Sequence, residues 1–172
     1  MILKGFREKS NKKYFNKLLA NRKISNTSKH IESLGVILNI DEFSNTEAIE
    51  SISKLLKIKP NSFKILAFSM SEEGNDGHGF PVFTAKDIGW SGKIKNPELE
   101  LFLNNEFDAL ISYYFTDNLD LKVLTAKVKS DLKIGVLQEE QRLNDLIINV
   151  NPDAIEVFKR ELLKYLSILK RI

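Results

Sequence analysis

The residues of this chain whose type and spacing could carry chemistry are the basic side chains near its beginning. Within the first 23 residues, eight lysine and arginine side chains stand against a single acidic residue, Glu8. Because the whole chain has a net charge of only +3, the rest of it is negative in sum. Lysines at this density can neutralise the phosphates of a polyanion, and such binding weakens as salt rises. The predicted polyanion-binding residues are Lys4, Arg7, Lys9, Lys12, Lys13, Lys17, Arg22 and Lys23.

The basic segment also contains two adjacent aromatic residues, Tyr14 and Phe15, whose rings could stack on bases. We therefore expect RNA, free or in a ribosome, as the leading partner. In the main alternative, the lysines form the solvated face of a helix whose apolar stripe packs on the domain or on a second copy. An acidic protein surface and an anionic membrane surface are the remaining alternatives.

A second group of polar residues follows the ends of predicted strands. In open parallel sheets, ligands bind beyond the carboxyl ends of the strands, near the point where the strand order reverses. We therefore predict a crevice near these ends, roofed by residues 70–95, for a nucleotide or a sugar phosphate. A simpler interpretation makes Asp117 and Asn118 helix caps. The predicted crevice residues are Ser69, Ser112, Tyr113, Thr116, Asp117, Asn118 and Arg142.

Other chemistry has little support in the sequence. The chain contains no cysteine, which excludes disulfides, thiolate zinc sites, iron–sulfur clusters and cysteine nucleophiles. The glycine-rich stretch EEGNDGHGFP matches neither dinucleotide-binding nor phosphate-loop spacing. Its His78, close to Glu72, Glu73 and Asp76, could hold a metal or act in acid–base catalysis, although a lone loop histidine is usually just exposed. We predict no catalytic residue, no metal site and no cofactor.

The elements that must position these residues centre on residues 107–136, FDALISYYFTDNLDLKVLTAKVKSDLKIGV. A short apolar run, an amphipathic stretch with an asparagine cap, and an alternating run predict strand, helix and parallel strand. LGVILNI and KILAFS predict an earlier pair of strands, joined by a helix that starts at a capping box of Ser44 and Glu47. The run from Leu146 to Val150 suggests a fifth strand.

The final helix is predicted from its start signal and its periodicity. Asn151 and Pro152 are a typical cap and first residue, and an unbroken apolar stripe follows as far as Ile172. Together, these elements predict a three-layer α/β domain, Rossmann-like or flavodoxin-like, with about five mostly parallel strands and a long amphipathic C-terminal helix.

The predicted domain organisation has two parts. Residues 1–30 form a basic helical arm and linker, with a helix from Ser10 to Asn21, and residues 31–172 form a single α/β domain. Between the two parallel units lies a long excursion, residues 70–96, with a weak strand pattern at Val82 and Phe83. No apolar run approaches the ~20 residues that cross a bilayer, and no apolar segment of a secretory signal follows the basic start. We expect a cytoplasmic protein.

Several stretches also resemble a known family. FREKSNKKYFNKLL, IESLGVIL, DIGWSGKIKN, FDALISYY, LTAKVKSDLKIGV, RLNDLII and ELLKYLSIL resemble, as a set, an uncharacterised family of small bacterial proteins known as a domain of unknown function. The resemblance covers the whole chain and implies one intact α/β domain, without assigning site residues. More locally, the segment from FDALI to LKIGV is similar to a strand–helix–strand segment of heptosyltransferase-type nucleotide-sugar glycosyltransferases.

The sequence thus predicts a non-catalytic binding or accessory protein that meets RNA, the ribosome or another acidic partner through its basic helix. The alternative is binding or transfer of a nucleotide or sugar phosphate at the carboxyl edge of the sheet. A homodimer through the arm or the final helix is a third, plainer prediction.

Overall fold

The structure, a computed structural model, describes residues 2–71, 78–137 and 139–172, and only the backbone of residue 2. The helices of this part are α1 (Ile2–Ala20), α2 (Thr46–Leu55), α3 (Pro97–Leu103), α4 (Leu119–Lys127) and α5 (Ile155–Ile168). The strands are β1 (Leu34–Asn39), β2 (Phe63–Phe68), β3 (Val82–Phe83), β4 (Glu106–Tyr113), β5 (Lys129–Gly135) and β6 (Leu146–Ile147). Single 3-10 turns lie at residues 60–62, 85–87 and 90–92.

The strands form one six-stranded sheet in the order β3-β2-β1-β4-β5-β6. Every pairing between neighbours is parallel. This confirms the predicted α/β class, and the order is that of Rossmann domains. β1 lies in the middle and is buried along its whole length, which explains why its sequence is a continuous apolar run rather than an alternating one.

Helices cover both faces of this sheet. α2 and α5 pack on one face, where Ile52 and Phe158 belong to the core. α3 and α4 pack on the other, where Phe102 and Leu124 do so. α1 lies outside α4 and forms a small core of its own with it. The predicted three layers are therefore present, and the basic helix adds a partial fourth on the α4 side.

The starts of α1 and α2 differ from the predicted ones. α1 begins at Ile2 rather than Ser10. Ser10 is therefore inside the helix, and its hydroxyl bonds to Ser91 Oγ at 2.9 Å. α2 is capped by Asn45, whose side-chain oxygen accepts from the Ala48 amide at 3.1 Å, so the predicted capping box of Ser44 does not form.

The later elements differ in a similar way. α5 begins at Ile155, after a turn in which the Ala154 amide donates to the carbonyl of Asn151. The carbonyl of Pro152 accepts a hydrogen bond from the Tyr113 hydroxyl at 3.2 Å, so this turn is tied to the end of β4. The predicted fifth strand is shortened to Leu146–Ile147 and lies at the edge of the sheet as β6.

Candidate polyanion-binding surface

The basic helix α1 is docked on the domain by two apolar side chains. Phe15 and Leu19 are only 3% and 8% exposed, and they pack with Val123 of α4 and Leu143 of the loop before β6. Their spacing of four residues places them on one face of α1. The helix therefore has a fixed orientation, and its remaining faces are set relative to the sheet.

A second contact joins α1 to the 3-10 turn at residues 90–92. The buried Asn11 accepts from the Gly92 amide through its side-chain oxygen at 3.0 Å. Gly92 has φ +67°, and its Cα hydrogen faces the ring of Tyr14. Ser91, also at positive φ, donates its amide to the Ser10 hydroxyl. The turn and the helix thus fit closely, and Gly92 occupies a position where the ring of Tyr14 leaves no room for a side chain.

Replacing Gly92 with alanine is expected to destabilise the protein by about 2 kcal/mol or more. A Cβ there would lie 2.4 Å from a ring carbon of Tyr14, and a positive φ alone costs an L residue about 1–2 kcal/mol. Urea unfolding measures the effect. Gly89→Ala is the matched control, since Gly89 lies in the same loop at φ −88° and the nearest atom is the movable end of Lys95. Equal stability of the two variants would contradict the close fit of α1 on this turn.

Arg7 is one of the predicted polyanion-binding residues, but it is bonded within the molecule. Its guanidinium donates to the carbonyls of Ala85 and Ile88 at 3.1 and 2.8 Å and pairs with Asp120 at 3.3 Å. Burial raises the pKa of Asp120, and the charge of Arg7 only partly opposes this. Arg7 therefore ties α1 to α4 and to the loop after β3.

Arg22 is also bonded within the molecule. Its guanidinium pairs with Asp145 at 2.6 Å and donates to the carbonyl of Arg142 at 2.9 Å. Both side chains of the Arg22–Asp145 pair are mostly buried. Arg22 thus ties the end of α1 to the loop before β6.

The other six predicted residues are free for an external partner. All are exposed, and within the described residues none of them has a carboxylate within 4.0 Å. They are the lysines at positions 4, 9, 12, 13, 17 and 23. Those from Lys4 to Lys17 extend over about 20 Å of helix axis, at 1.5 Å per residue. We call these six side chains the lysine face.

The aromatic residues that the sequence suggested for stacking point away from the lysine face. Phe15 is buried, and the ammonium of Lys122 lies 5.4 Å from its ring centroid. Tyr14 faces Gly92 and accepts a hydrogen bond from Lys127 at 3.1 Å. Both rings therefore help to dock α1 on the domain. Two exposed aromatic side chains nearby, Phe6 and Trp90, were not predicted, because Phe6 precedes the predicted helix start at Ser10 and Trp90 lies in a loop.

At the carboxyl edge of the sheet, where the crevice was predicted, two carboxylates of the loop after β1 accept hydrogen bonds from the segments after β2 and β4. Glu42 accepts from the amides of Phe115 and Thr116, at 2.7 Å each. Asp41 accepts from the Ser69 hydroxyl at 2.8 Å and from the Met70 amide at 2.6 Å. These backbone amides at the switch point of the sheet are therefore already bonded to anionic oxygens.

The remaining predicted crevice residues are bonded within the chain too. The Ser112 hydroxyl lies against Thr125 inside the core, and the ring of Tyr113 is buried. Asn118 caps α4, as the simpler interpretation expected, while Asp117 pairs with Lys122. Arg142 lies apart from them, next to the end of α1, and pairs with Glu140 at 2.8 Å.

Within the described residues, neither a metal-binding cluster nor a membrane-spanning helix provides a further candidate site. Among the residues that the structure describes, no group of three histidine, aspartate or glutamate side chains could hold a metal ion. The carboxylates suggested as partners of His78 lie at residues 72, 73 and 76, outside the described ranges. In the same described part of the chain, no helix has both the length and the apolarity that a bilayer span requires.

The sheet order and the docked helix define an all-parallel, Rossmann-like α/β protein that carries a lysine-rich helix outside one layer. The chain belongs to the family of unknown function DUF6913, whose profile matches residues 7–169. This confirms the resemblance to an uncharacterised family, while the local likeness to heptosyltransferases stays a prediction. Searches among curated proteins and among solved structures found no match.

Proposed function

We propose that this protein is a non-catalytic binding protein that holds RNA through the lysine face of α1. One observation supports this most directly. Of the eight basic residues at the start of the chain, only the two arginines are paired with carboxylates of the described residues, and the six lysines face solvent unpaired. Unpaired lysines on a helix of fixed orientation can neutralise successive phosphates, releasing counterions as they do so. The proposal includes a cytoplasmic location, where RNA and ribosomes are found.

Replacing Lys12, Lys13 and Lys17 with glutamine is expected to weaken RNA binding at least tenfold in 0.1 M salt. It should also reduce the slope of log K against log salt by about 2, since each phosphate contact to a single strand contributes about 0.7. Fluorescence anisotropy of a labelled RNA oligonucleotide, titrated at several salt concentrations, gives both quantities. All three side chains are exposed, so folding should be unaffected.

The matched control is the triple replacement of Lys54, Lys59 and Lys64 with glutamine. These lysines are also exposed and also lack an ion pair in the described residues, but they lie in or near α2 and β2, away from α1. The net charge changes by the same amount, so a general charge effect would weaken both variants equally. Equal weakening, or binding by the wild-type protein that is independent of salt, would contradict the proposal.

The small-molecule alternative has less support, because Asp41 and Glu42 already occupy amides at the carboxyl edge. It remains a prediction, and a thermal-shift screen with nucleotides and sugar phosphates tests it, since a ligand that binds only the folded state raises the melting temperature. The homodimer also remains a prediction, which light scattering tests.

A further inference from the structure

Two large aromatic side chains remain exposed beside the lysine face. Phe6 is 56% exposed and Trp90 is 50% exposed, although aromatic rings of this size are usually buried in a core. Neither forms an aromatic pair or a cation–π contact within the described residues. Single exposed apolar residues are common, so the positions of these two rings are more informative than their exposure alone.

The two rings belong to segments that are in direct contact. The Ser10 hydroxyl bonds to the Ser91 hydroxyl and also accepts a hydrogen bond from the Ser91 amide. Trp90 immediately precedes Ser91. Phe6 lies four residues before Ser10, one turn earlier on the same side of α1. Trp90 therefore lies beside the middle of α1, about one helical turn from Phe6, and the docked turn holds the backbone of Trp90 in place.

Lysines share one face of α1 with Phe6. Phe6, Lys9, Lys13 and Lys17 are spaced by three, four and four residues, which places them along one face of the helix. All four are exposed. A ligand that lies along this face meets the ring of Phe6 at one end and ammonium groups along the rest of the helix, with Trp90 in the turn beside Ser10.

This arrangement matches one class of partner best. We propose that Phe6 and Trp90 stack on unpaired bases of a single-stranded RNA whose phosphates follow Lys9, Lys13 and Lys17, an inference that rests on the proposed function. Single-strand binding sites combine a positively charged track with aromatic platforms, because unpaired bases expose their faces. In a duplex, those faces are stacked on one another. A membrane surface needs an apolar band along the whole helix, whereas the large exposed apolar side chains of α1 among the described residues, Leu3 and Phe6, lie in its first two turns.

The chain itself supplies the probe, because Trp90 is its only tryptophan. Titrating the wild-type protein with an oligouridylate of about twelve nucleotides, a length within the usual range for such sites, is expected to quench tryptophan emission as the complex forms. Inorganic polyphosphate, which offers phosphates without bases, should bind the lysine face and leave the emission unchanged. A blunt RNA duplex should bind more weakly than the single strand at the same salt.

Variants of Phe6 separate stacking from simple apolar contact. Phe6→Ala should weaken oligouridylate binding by about fivefold or more, the equivalent of about 1 kcal/mol for one base–aromatic stack. Phe6→Tyr should bind as the wild type does, and Phe6→Leu should be as weak as Phe6→Ala. None of the three should change the slope of log K against log salt. The matched control is Leu101→Ala, which removes another exposed apolar side chain at a distant helix.

The outcomes distinguish this inference from the proposed function. Salt-dependent binding of oligouridylate with unchanged Trp90 emission and an unaffected Phe6→Ala variant would overturn the stacking site and leave the lysine face as a phosphate-binding surface. Absence of salt-dependent binding to both RNA and polyphosphate would overturn both proposals. A blue shift of Trp90 emission with anionic vesicles, without quenching by oligouridylate, would assign the rings to a lipid surface and overturn the inference.

Discussion

Replacing Asp108 with alanine is expected to lower the free energy of unfolding by about 2 kcal/mol or more, because the side chain is the acceptor of several hydrogen bonds from the segment before β1. Asp108 lies in β4 and is 9% exposed. Its carboxylate accepts from the amides of Glu32 and Ser33, both at 2.9 Å, from the Ser33 hydroxyl at 3.0 Å and from the Lys29 ammonium at 3.0 Å. The variant leaves two backbone amides without their acceptor, each at a cost of about 1–3 kcal/mol.

The same residue joins the segment before β1 and the last residues after α5 to the sheet. Its carbonyl accepts from the guanidinium of Arg171 at 3.1 Å, and that guanidinium also donates to the carbonyl of Thr27 at 3.2 Å. The carbonyl of Arg171 in turn accepts from the Ile31 amide. The segment between α1 and β1, predicted as a linker, is therefore fastened between β4 and the end of α5. Loss of the Asp108 carboxylate loosens that attachment.

Two further variants show which bonds matter. Lys29→Met removes only an exposed ion pair and should change stability little. Asp108→Asn keeps one acceptor oxygen, so it should lose less stability than Asp108→Ala. Urea unfolding of all four proteins at pH 7 measures the order. An Asp108→Ala protein as stable as Lys29→Met would contradict the assignment of Asp108 as the anchor.

The acid dependence of stability is a second readout for Asp108. Burial acts to raise the pKa of Asp108, but hydrogen bonds from Lys29, Glu32 and Ser33 together hold it below its ordinary value of 3.8. A lowered pKa in the folded state stabilises the protein fully above that ordinary value, and the contribution is lost as pH falls through the folded value. As pH falls below about 4, close to that ordinary value, Asp108→Asn should therefore lose stability less steeply than the wild-type protein does.

Lys133 is expected to contribute a rise of roughly 3 kcal/mol to the free energy of unfolding between pH 8 and pH 10.5, measured as the difference between the wild-type and Lys133→Met profiles. This residue of β5 is 4% exposed, and its ammonium donates to the carbonyls of Thr125 and Ala126, at 2.7 and 3.3 Å, where α4 ends. Burial, together with the charge of Arg22, lowers the pKa of Lys133 from 10.5 to about 8, against the opposing charge of Asp145.

The direction follows from proton linkage. Between the folded and the ordinary pKa, the unfolded chain holds a proton on Lys133 that the folded protein has released. Stability rises with pH wherever the unfolded state binds more protons. Below pH 8 both states are protonated, and above pH 10.5 neither is, so the gain is confined to this interval.

Lys133→Met should abolish that rise, because it removes the titrating group and keeps the apolar stem. At pH 7 it leaves the carbonyls of Thr125 and Ala126 without their donor, so the pH dependence is the diagnostic quantity. The matched control, Lys129→Met, removes a lysine of the same strand whose side chain is 75% exposed, and it should retain the wild-type profile. Urea unfolding across the pH range compares the three proteins. A wild-type profile that runs parallel to that of Lys133→Met above pH 8 would show that the ammonium is well solvated.

Several parts of the fold were predictable from local sequence because local physics determines them. The apolar runs of β1, β2 and β4 require burial on both faces, which only a parallel sheet between helices provides. The cap at Asn118 was also predictable, since the side chain bonds to amides two and three residues ahead. Other predicted helix starts were wrong: the neighbouring Asn45 caps α2 in place of Ser44, and α1 extends back to Ile2, beyond Ser10.

By itself, the sequence determined that this is a parallel α/β protein with an excess of positive charge at its beginning, because periodicity and charge are properties of neighbouring residues. Only the tertiary structure decided which of those charges are free: Arg7 and Arg22 found carboxylates of α4 and of the loop before β6. It also buried Phe15 and exposed Trp90. Such pairings join residues about a hundred positions apart, and their free energies depend on burial and distance, which no local pattern encodes.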